Sequence, residues 1–283
     1  MKQGIAGLLC MLWVCAAWAA GPSAVRKLAE ASMLVTGSID VMPDGSVRNY
    51  TIDRPEKISP TVLSLIQKSV PNWKFEAENG TTAVERAKMN LRLVARRTDD
   101  THGSIAITGA TFFDANAPTT DSVHSGSKRS LPRYPPEAIA ARVSGTVFLI
   151  MQVGRQGQVE QVAAEQVNLG VYGSESQMHR FRDMLADASI NAAKTWTFNV
   201  PTTGKQASDA HWNVRVPVAF NLTADNASND TYGKWQAYIP GPREYIPWVQ
   251  KDQLASQGSD AIPDGTLAPA DQPLHLTTAL DGT

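Results

Sequence analysis

The sequence predicts an α+β protein in which two tandem modules each fold as a small antiparallel sheet with one helix packed on one face. Three observations predict it. The chain has 283 residues, enough for about two domains at roughly 100–200 residues each. A block recurs, with Met33–Ile52 (MLVTGSIDVMPDGSVRNYTI) lying over Gly145–Ala164 (GTVFLIMQVGRQGQVEQVAA) at a shift of 112. Within each block apolar residues alternate, stop at a turn signal and alternate again. A stripe at spacings of three and four follows, which is the order strand, turn, strand, helix.

The first strand of the second copy carries Val147, Leu149, Met151 and Val153 on one face. Phe148 and Ile150 make its other face apolar as well, so this strand is expected to be covered on both sides. Met42-Pro43-Asp44-Gly45 and Gly154-Arg155-Gln156-Gly157 are the turns, because Pro presets φ and Gly supplies a positive one. The return strands are Ser46–Ile52 and Gln158–Ala164. Val62, Leu65, Ile66, Val70 and Trp73 form the helical stripe of the first copy, with Ser59-Pro60 as cap and first turn. Phe181, Leu185, Ala188, Ala192 and Trp196 form that of the second.

At the helix ends Trp73-Lys74-Phe75 falls on Trp196-Thr197-Phe198, where the shift is 123. The difference implies an 11-residue insertion, which the Gly-containing stretch Asn168–Met178 is expected to hold as a loop. Lys88–Arg96 and His211–Leu222 close the two units, with Met89, Leu91 and Leu93 falling on Trp212, Val214 and Val216. Gly103–Phe113 alternates and reads as one more strand of the first copy. Trp73 and Trp196 read as core residues that plug each helix against its sheet.

The expected organisation is a signal peptide over 1–20, a first module over 21–113, a linker over 114–130, a second module over 131–224 and a tail over 225–283. Lys2, the apolar run Ile5–Ala20 and the small-x-small site Ala17-Trp18-Ala19 make the secretory signal, with Ala20 or Gly21 as the new start. The rival reading is an uncleaved inner-membrane anchor. A spanning helix needs about 20 apolar residues, and Gly21-Pro22 stops this run short of that. The tail contains Pro and the aromatic stretch Tyr232–Trp248, expected to pack back onto a domain, while its C-terminal half is expected to lack order.

Several function classes are set aside. A net charge of -1 offers no field for nucleic acid. Cys10 and Cys15 both lie in the signal, so no disulfide or thiolate chemistry is expected after it. There is no H-E-x-x-H, G-x-S-x-G, Walker loop or C-x-x-C. His102, His124, His179, His211 and His275 make no ligand pair. The expectation is a non-enzyme with no cofactor and no metal.

Ahead of the second copy stands Leu131-Pro132-Arg133-Tyr134-Pro135-Pro136-Glu137-Ala138. This P-x-Y-P, the Gly145-Thr146-Val147 opening, the Gly157-Gln158-Val159 turn, Ala192–Phe198 with its Trp196, and the closing Val214–Phe220 occur in order. Together they resemble the TonB C-terminal domain over about residues 131–222, with Gln156 where that family usually has Asp. The first copy lacks P-x-Y-P but keeps Pro43-Asp44-Gly45, Trp73 and Phe75, and resembles a degenerate version. The resemblance implies a periplasmic protein-binding module that takes an extended peptide, or a segment of an envelope protein such as an outer-membrane transporter, by strand addition. The edge it implies is the last long strand, with Trp212, Asn213, Val214, Arg215, Val216, Val218 and Phe220. Pro217 inside it removes a donor, which suits an edge strand. Two alternatives stand beside this one. One is an anchored TonB-type energy transducer for outer-membrane transport. The other is an envelope structural protein that self-associates, for example as a homodimer through sheet edges.

Overall fold

The computed structural model describes residues 28–76, 83–99, 102–114, 118–222, 230–249, 258, 260–270, 272 and 274–280. The segment read as a signal or anchor lies outside the described residues. In chain order the elements are β1 (Glu30–Val41), β2 (Val47–Ile52), α1 (Pro60–Ser69), β3 (Glu85–Arg97), β4 (Gly103–Asp114), β5 (His124–Ser125) and α2 (Pro136–Ala140). They continue with β6 (Gly145–Gly154), β7 (Val159–Leu169), α3 (Glu175–Ala193), β8 (Phe198–Asn199), β9 (His211–Phe220), β10 (Gln236–Tyr238) and β11 (Ala268–Pro269). One sheet has the order β10-β1-β3-β4, with β2 also on β1, and the other has the order β11-β9-β6-β7. All these pairings are antiparallel, so the fold is α+β.

The hairpins β1–β2 and β6–β7 are wired alike. Ile39 faces Tyr50 and Val41 faces Val47. Met151 faces Val162 and Val153 faces Val159, with the ladder irregular at the corresponding point. Gly45 and Gly157 both sit at φ 77°, where L side chains are strained. A Cβ there would lie 2.1 Å from the Phe75 carbonyl oxygen and 1.9 Å from that of Phe198. Each glycine carbonyl accepts from the backbone N–H of the same Phe, at 2.9 and 2.7 Å. The turn is thus tied to the strand that follows the helix.

Two expectations need correction, and the α3 stripe gains members. The closing strands pair four residues out of the sequence alignment. Ile39 faces Ala87 and Met151 faces Val214, so Met89 takes the place of Val216 and not of Trp212. Of the residues expected as an insertion loop, 170–174 form one, but the flanks belong to longer elements: β7 has 11 residues against 6 in β2, and α3 has 19 against 10 in α1. On α3 the innermost residues are Met178, Leu185, Ser189 and Ala193, and the expected Phe181, Ala188 and Ala192 are half-buried beside them. Ser189 hid this face from an apolar count, and its hydroxyl is satisfied by the Leu185 carbonyl at 2.8 Å.

Local signals set the helices. The Ser59 hydroxyl accepts from the Val62 N–H at the start of α1. Ser174 and Gln177 form a reciprocal capping box on α3. Each helix closes one core. In the first, Trp73 and Phe75 meet Phe112 edge-on at 6.2 and 5.0 Å. In the second, the buried Trp196 indole donates to the Ser130 carbonyl at 2.8 Å and Tyr134 meets Phe220 edge-on at 5.1 Å. The stretch read as a linker is held against this second unit. β5 pairs with β8, Val123 is buried, and Lys128 accepts from the Thr197 N–H.

The tail joins the two units. Asp230 accepts from Lys57 at 2.5 Å and from Arg54, whose guanidinium lies 4.0 Å from the Tyr232 ring centre. The Tyr232 hydroxyl donates to the Asp53 carbonyl. β10 then pairs with β1, Ile239 exchanges both backbone hydrogen bonds with Leu169, and Glu244 donates to the Glu165 carbonyl. One segment therefore spans from the edge of β1 to the edge of β7. Further on, β11 pairs with β9, Thr111 donates to the Ala261 carbonyl, and Leu276 bridges Phe75. Ile239, Ile246, Ala268 and Leu274 are buried, so the described part of the tail carries core residues.

Two outcomes follow. Gly157→Ala places its Cβ against backbone at a strained φ and is expected to lower the urea unfolding free energy by well over about 1 kcal/mol. Gly265→Ala, at φ 70° with nothing within 4 Å of its Cβ, should cost about 1 kcal/mol or less. The second outcome concerns acid. Lys57 first, then the Tyr232 N–H and Arg54, hold the Asp230 carboxyl down to about 2 from an ordinary 3.8. Its contribution is present above pH 3.8 and is lost as pH falls through about 2. Amide protection of residues 230–235 should therefore fall over that window in the native chain, and Asp230→Asn should remove the dependence.

Candidate functional site: the outer edge of β9

β9 pairs with β6 along its whole length, from Phe220 opposite Gly145 to His211 opposite Gly154. Successive side chains of a strand point to opposite faces. Trp212, Val214, Val216, Val218 and Phe220 accordingly enter the core beneath α3, and the Trp212 indole donates to the Gln206 carbonyl at 3.1 Å. Asn213 and Arg215 point to the other face. Of the seven expected edge residues, five are thus core residues in their side chains. What β9 presents along its outer edge is backbone.

That edge is occupied. The Asn213 carbonyl accepts from the Ala270 N–H at 2.8 Å and the Pro217 carbonyl accepts from the Gly265 N–H at 2.9 Å. Between them Ala268 stands opposite Arg215 and Pro269 opposite Val214. In an antiparallel strand the N–H and C=O of one residue point the same way. The missing N–H of Pro217 therefore belongs to the outer side, and β6 loses nothing by it. Pro217 is tolerated here because the outer ladder is interrupted.

The face carrying Asn213 and Arg215 holds a charge pair. Arg215 meets Glu165 of β7 through Nε–Oε2 at 2.7 Å and Nη2–Oε1 at 2.8 Å, with 2% and 6% of the two side chains exposed. Glu165 is the extra residue where the register passes from Gln166 opposite Phe148 to Ala164 opposite Leu149, so it is a bulge that re-aims the carboxylate. Ile246, Val249 and Ala270 of the tail gather on Ile150, the residue opposite Arg215. Sequence reasoning found the strand but not its cover. Thr266–Ala270 has no alternation, carries Pro269, and gave no strand signal. Glu165 carried no signal either.

Beside β11 a cleft of about 1100 Å³ opens. Leu267 and Pro269 of the tail line one side, Glu85, Arg86 and Lys88 of β3 another, and His124 lies at its wall. Among the described residues no cluster of His, Cys, Asp or Glu is placed to hold a metal ion, and no helix is long and apolar enough to cross a membrane.

Among curated proteins, the chain matches Protein TonB from Xanthomonas campestris pv. campestris strain B100 and from strain ATCC 33913, each 39% identical over 98 residues. The chain is similar to TonB over that stretch. The match covers 35% of this chain, and the chain spans 38% of the length of either relative. No family profile and no solved structure matches.

The ion pair supplies a test. Arg215→Ala leaves Glu165 buried and uncompensated and is expected to destabilise by about 3–5 kcal/mol. The double change Arg215→Met with Glu165→Leu, which fills the space without charge, should recover most of that loss in a denaturant titration.

Proposed function

We propose that this chain is a protein-binding component of the Gram-negative envelope, working in the periplasm, which takes an extended segment of another envelope protein as an added strand along the outer edge of β9. It is assembled from two diverged copies of one unit, the first spanning 21–113 and the second 131–224. The likeness to TonB over 98 residues supports the class, and the shared hairpin register and glycine wiring support the duplication. The observation that carries the binding reading is that the outer carbonyls of Asn213 and Pro217 already accept hydrogen bonds from an extended segment. Recognition by such an edge is through backbone, with alternate side chains of the guest read by the surroundings.

Outer-membrane transporters are the guest class that the resemblance to TonB suggests. Backbone recognition has a distinctive signature. Extended peptides from such transporters should bind the full chain and slow amide exchange at Asn213 and Arg215. Methylating every second peptide N–H on the ladder side should weaken binding at least about tenfold, at roughly 0.5–1.5 kcal/mol per hydrogen bond lost. Methylating the other set should change little. Equal loss from both sets, measured by calorimetry, would show that side chains and not a ladder hold the guest.

A further inference from the structure

The tail strand occupies the same edge to which guest binding is assigned. We infer that residues 265–270 (Gly-Thr-Leu-Ala-Pro-Ala) are a resident stand-in for the guest: they hold the β9 edge closed, and an external segment of the same pattern, aliphatic-small-x-small, takes their place. This rests on the strand-addition reading above.

Four observations carry it. The resident strand makes the contacts that define strand addition, from Gly265 against Pro217 to Ala270 against Asn213. Its side chains report what the edge accepts. Leu267 packs against the second core. Ala268 and Ala270 are 1% and 3% exposed, so a larger residue at either place must move something. Pro269 is only partly buried and its position tolerates a residue without an N–H. The pattern required of a guest is therefore one aliphatic residue, then small residues at the next position and the one two beyond that.

The resident ladder is also short and poorly propagated. β11 has two residues, and a proline stands in each partner, Pro217 and Pro269. Its outer side is open, because the cleft of about 1100 Å³ meets Thr266, Leu267 and Pro269. The surface under the tail suits a face that is at times wet. This face carries the Arg215–Glu165 pair beside the apolar Ile150, whereas the side chains of β9 under α3 are all apolar. In a permanent core, replacing such a pair by hydrophobic residues is often neutral or stabilising. On a face uncovered whenever a guest enters it would not be, since exposed apolar surface invites association.

The test uses a synthetic peptide of residues 262–272 (IPDGTLAPADQ) against the full chain. The native chain should bind it weakly, because the tethered copy competes at an effective concentration of about millimolar. Ala268→Arg in the chain cannot keep its side chain buried and should release the strand. Amide exchange at Asn213 and Arg215 should then rise, and the peptide should bind at least about tenfold tighter than to the native chain. A peptide carrying the same Ala268→Arg change should not bind. A chain with Cys10 and Cys15 changed to Ser and cysteines placed at Asn213 and Ala270, which face each other, guards against misfolding of the first variant. Oxidised, it should lose peptide binding, and reduced it should regain it.

Unchanged exchange in Ala268→Arg, or peptide binding that oxidation of the cysteine pair does not alter, would overturn the resident-strand inference alone. Raised exchange with no peptide binding in any chain would show that the edge opens but takes no guest, and would overturn strand addition with it.

Discussion

A sheet with one helix has a second face, which an antiparallel sheet can leave to water, but in this chain that face is buried. In this chain the helix faces of both sheets are aliphatic and aromatic, while the other faces carry Asn90, Arg92 and Thr111 on one sheet and Gln152, Glu165 and Arg215 on the other, all buried. Buried polar groups need partners. Thr111 finds the Ala261 carbonyl and the Asn90 amide, and Arg215 finds Glu165. Arg92 finds Asp260, and its guanidinium lies over the rings of Tyr238 and of Phe148 in the other sheet. Two of its three neighbours belong to the tail. Covering these faces is what gives the described residues of the tail their positions, and those contacts are what bring the two sheets together.

The same requirement explains how the tail treats edges. An open sheet edge is a template for pairing. Residues 236–244 pair with β1 and reach β7, and residues 265–270 cover β9. These covers differ in kind. At β7 the Ile239–Leu169 exchange is backed by Arg182, which donates to the Val167 and Pro240 carbonyls, and by Asn168, whose side chain accepts from the Gly241 N–H. Burial pushes the Arg182 guanidinium down, and beside it on β10 the Tyr238 phenol up to about 12. The β9 cover has a cleft along it.

The legible part of the fold was the part with short-range periodicity. The hairpin shift of 112 holds residue for residue, since a turn with glycine at φ 77° fixes the register of the strands it joins. The closing strands are set by a long connection, and there the sequence alignment slipped by four while the apolar alternation stayed satisfied, because a slip of an even number keeps the same face inward. The tail was illegible for a related reason. Among the described residues its contacts are ladders of two or three pairs, single bridges and side-chain hydrogen bonds, and no window of its sequence carries a period. Of the seven residues expected at the site, Asn213 and Arg215 face the tail side and the other five face the core, since alternation reports side chains and an edge works through backbone.

This difference has an energetic side. Each backbone hydrogen bond of the β11 ladder contributes about 0.5–1.5 kcal/mol net, and only a few are made. Most of the hold on this segment must come from Leu267, Ala268 and Ala270 settling against their neighbours, with Arg129 donating to the Gly265 carbonyl at 2.6 Å. Burial in turn pushes the Arg129 guanidinium below its usual range, and its charge lies over the Trp196 ring at 5.1 Å. The Trp that closes the second helix therefore also seats the arginine that closes the tail turn. A guest strand that displaces residues 265–270 would free that arginine to meet the guest, so the core Trp196 and the outer edge of β9 are linked through one side chain.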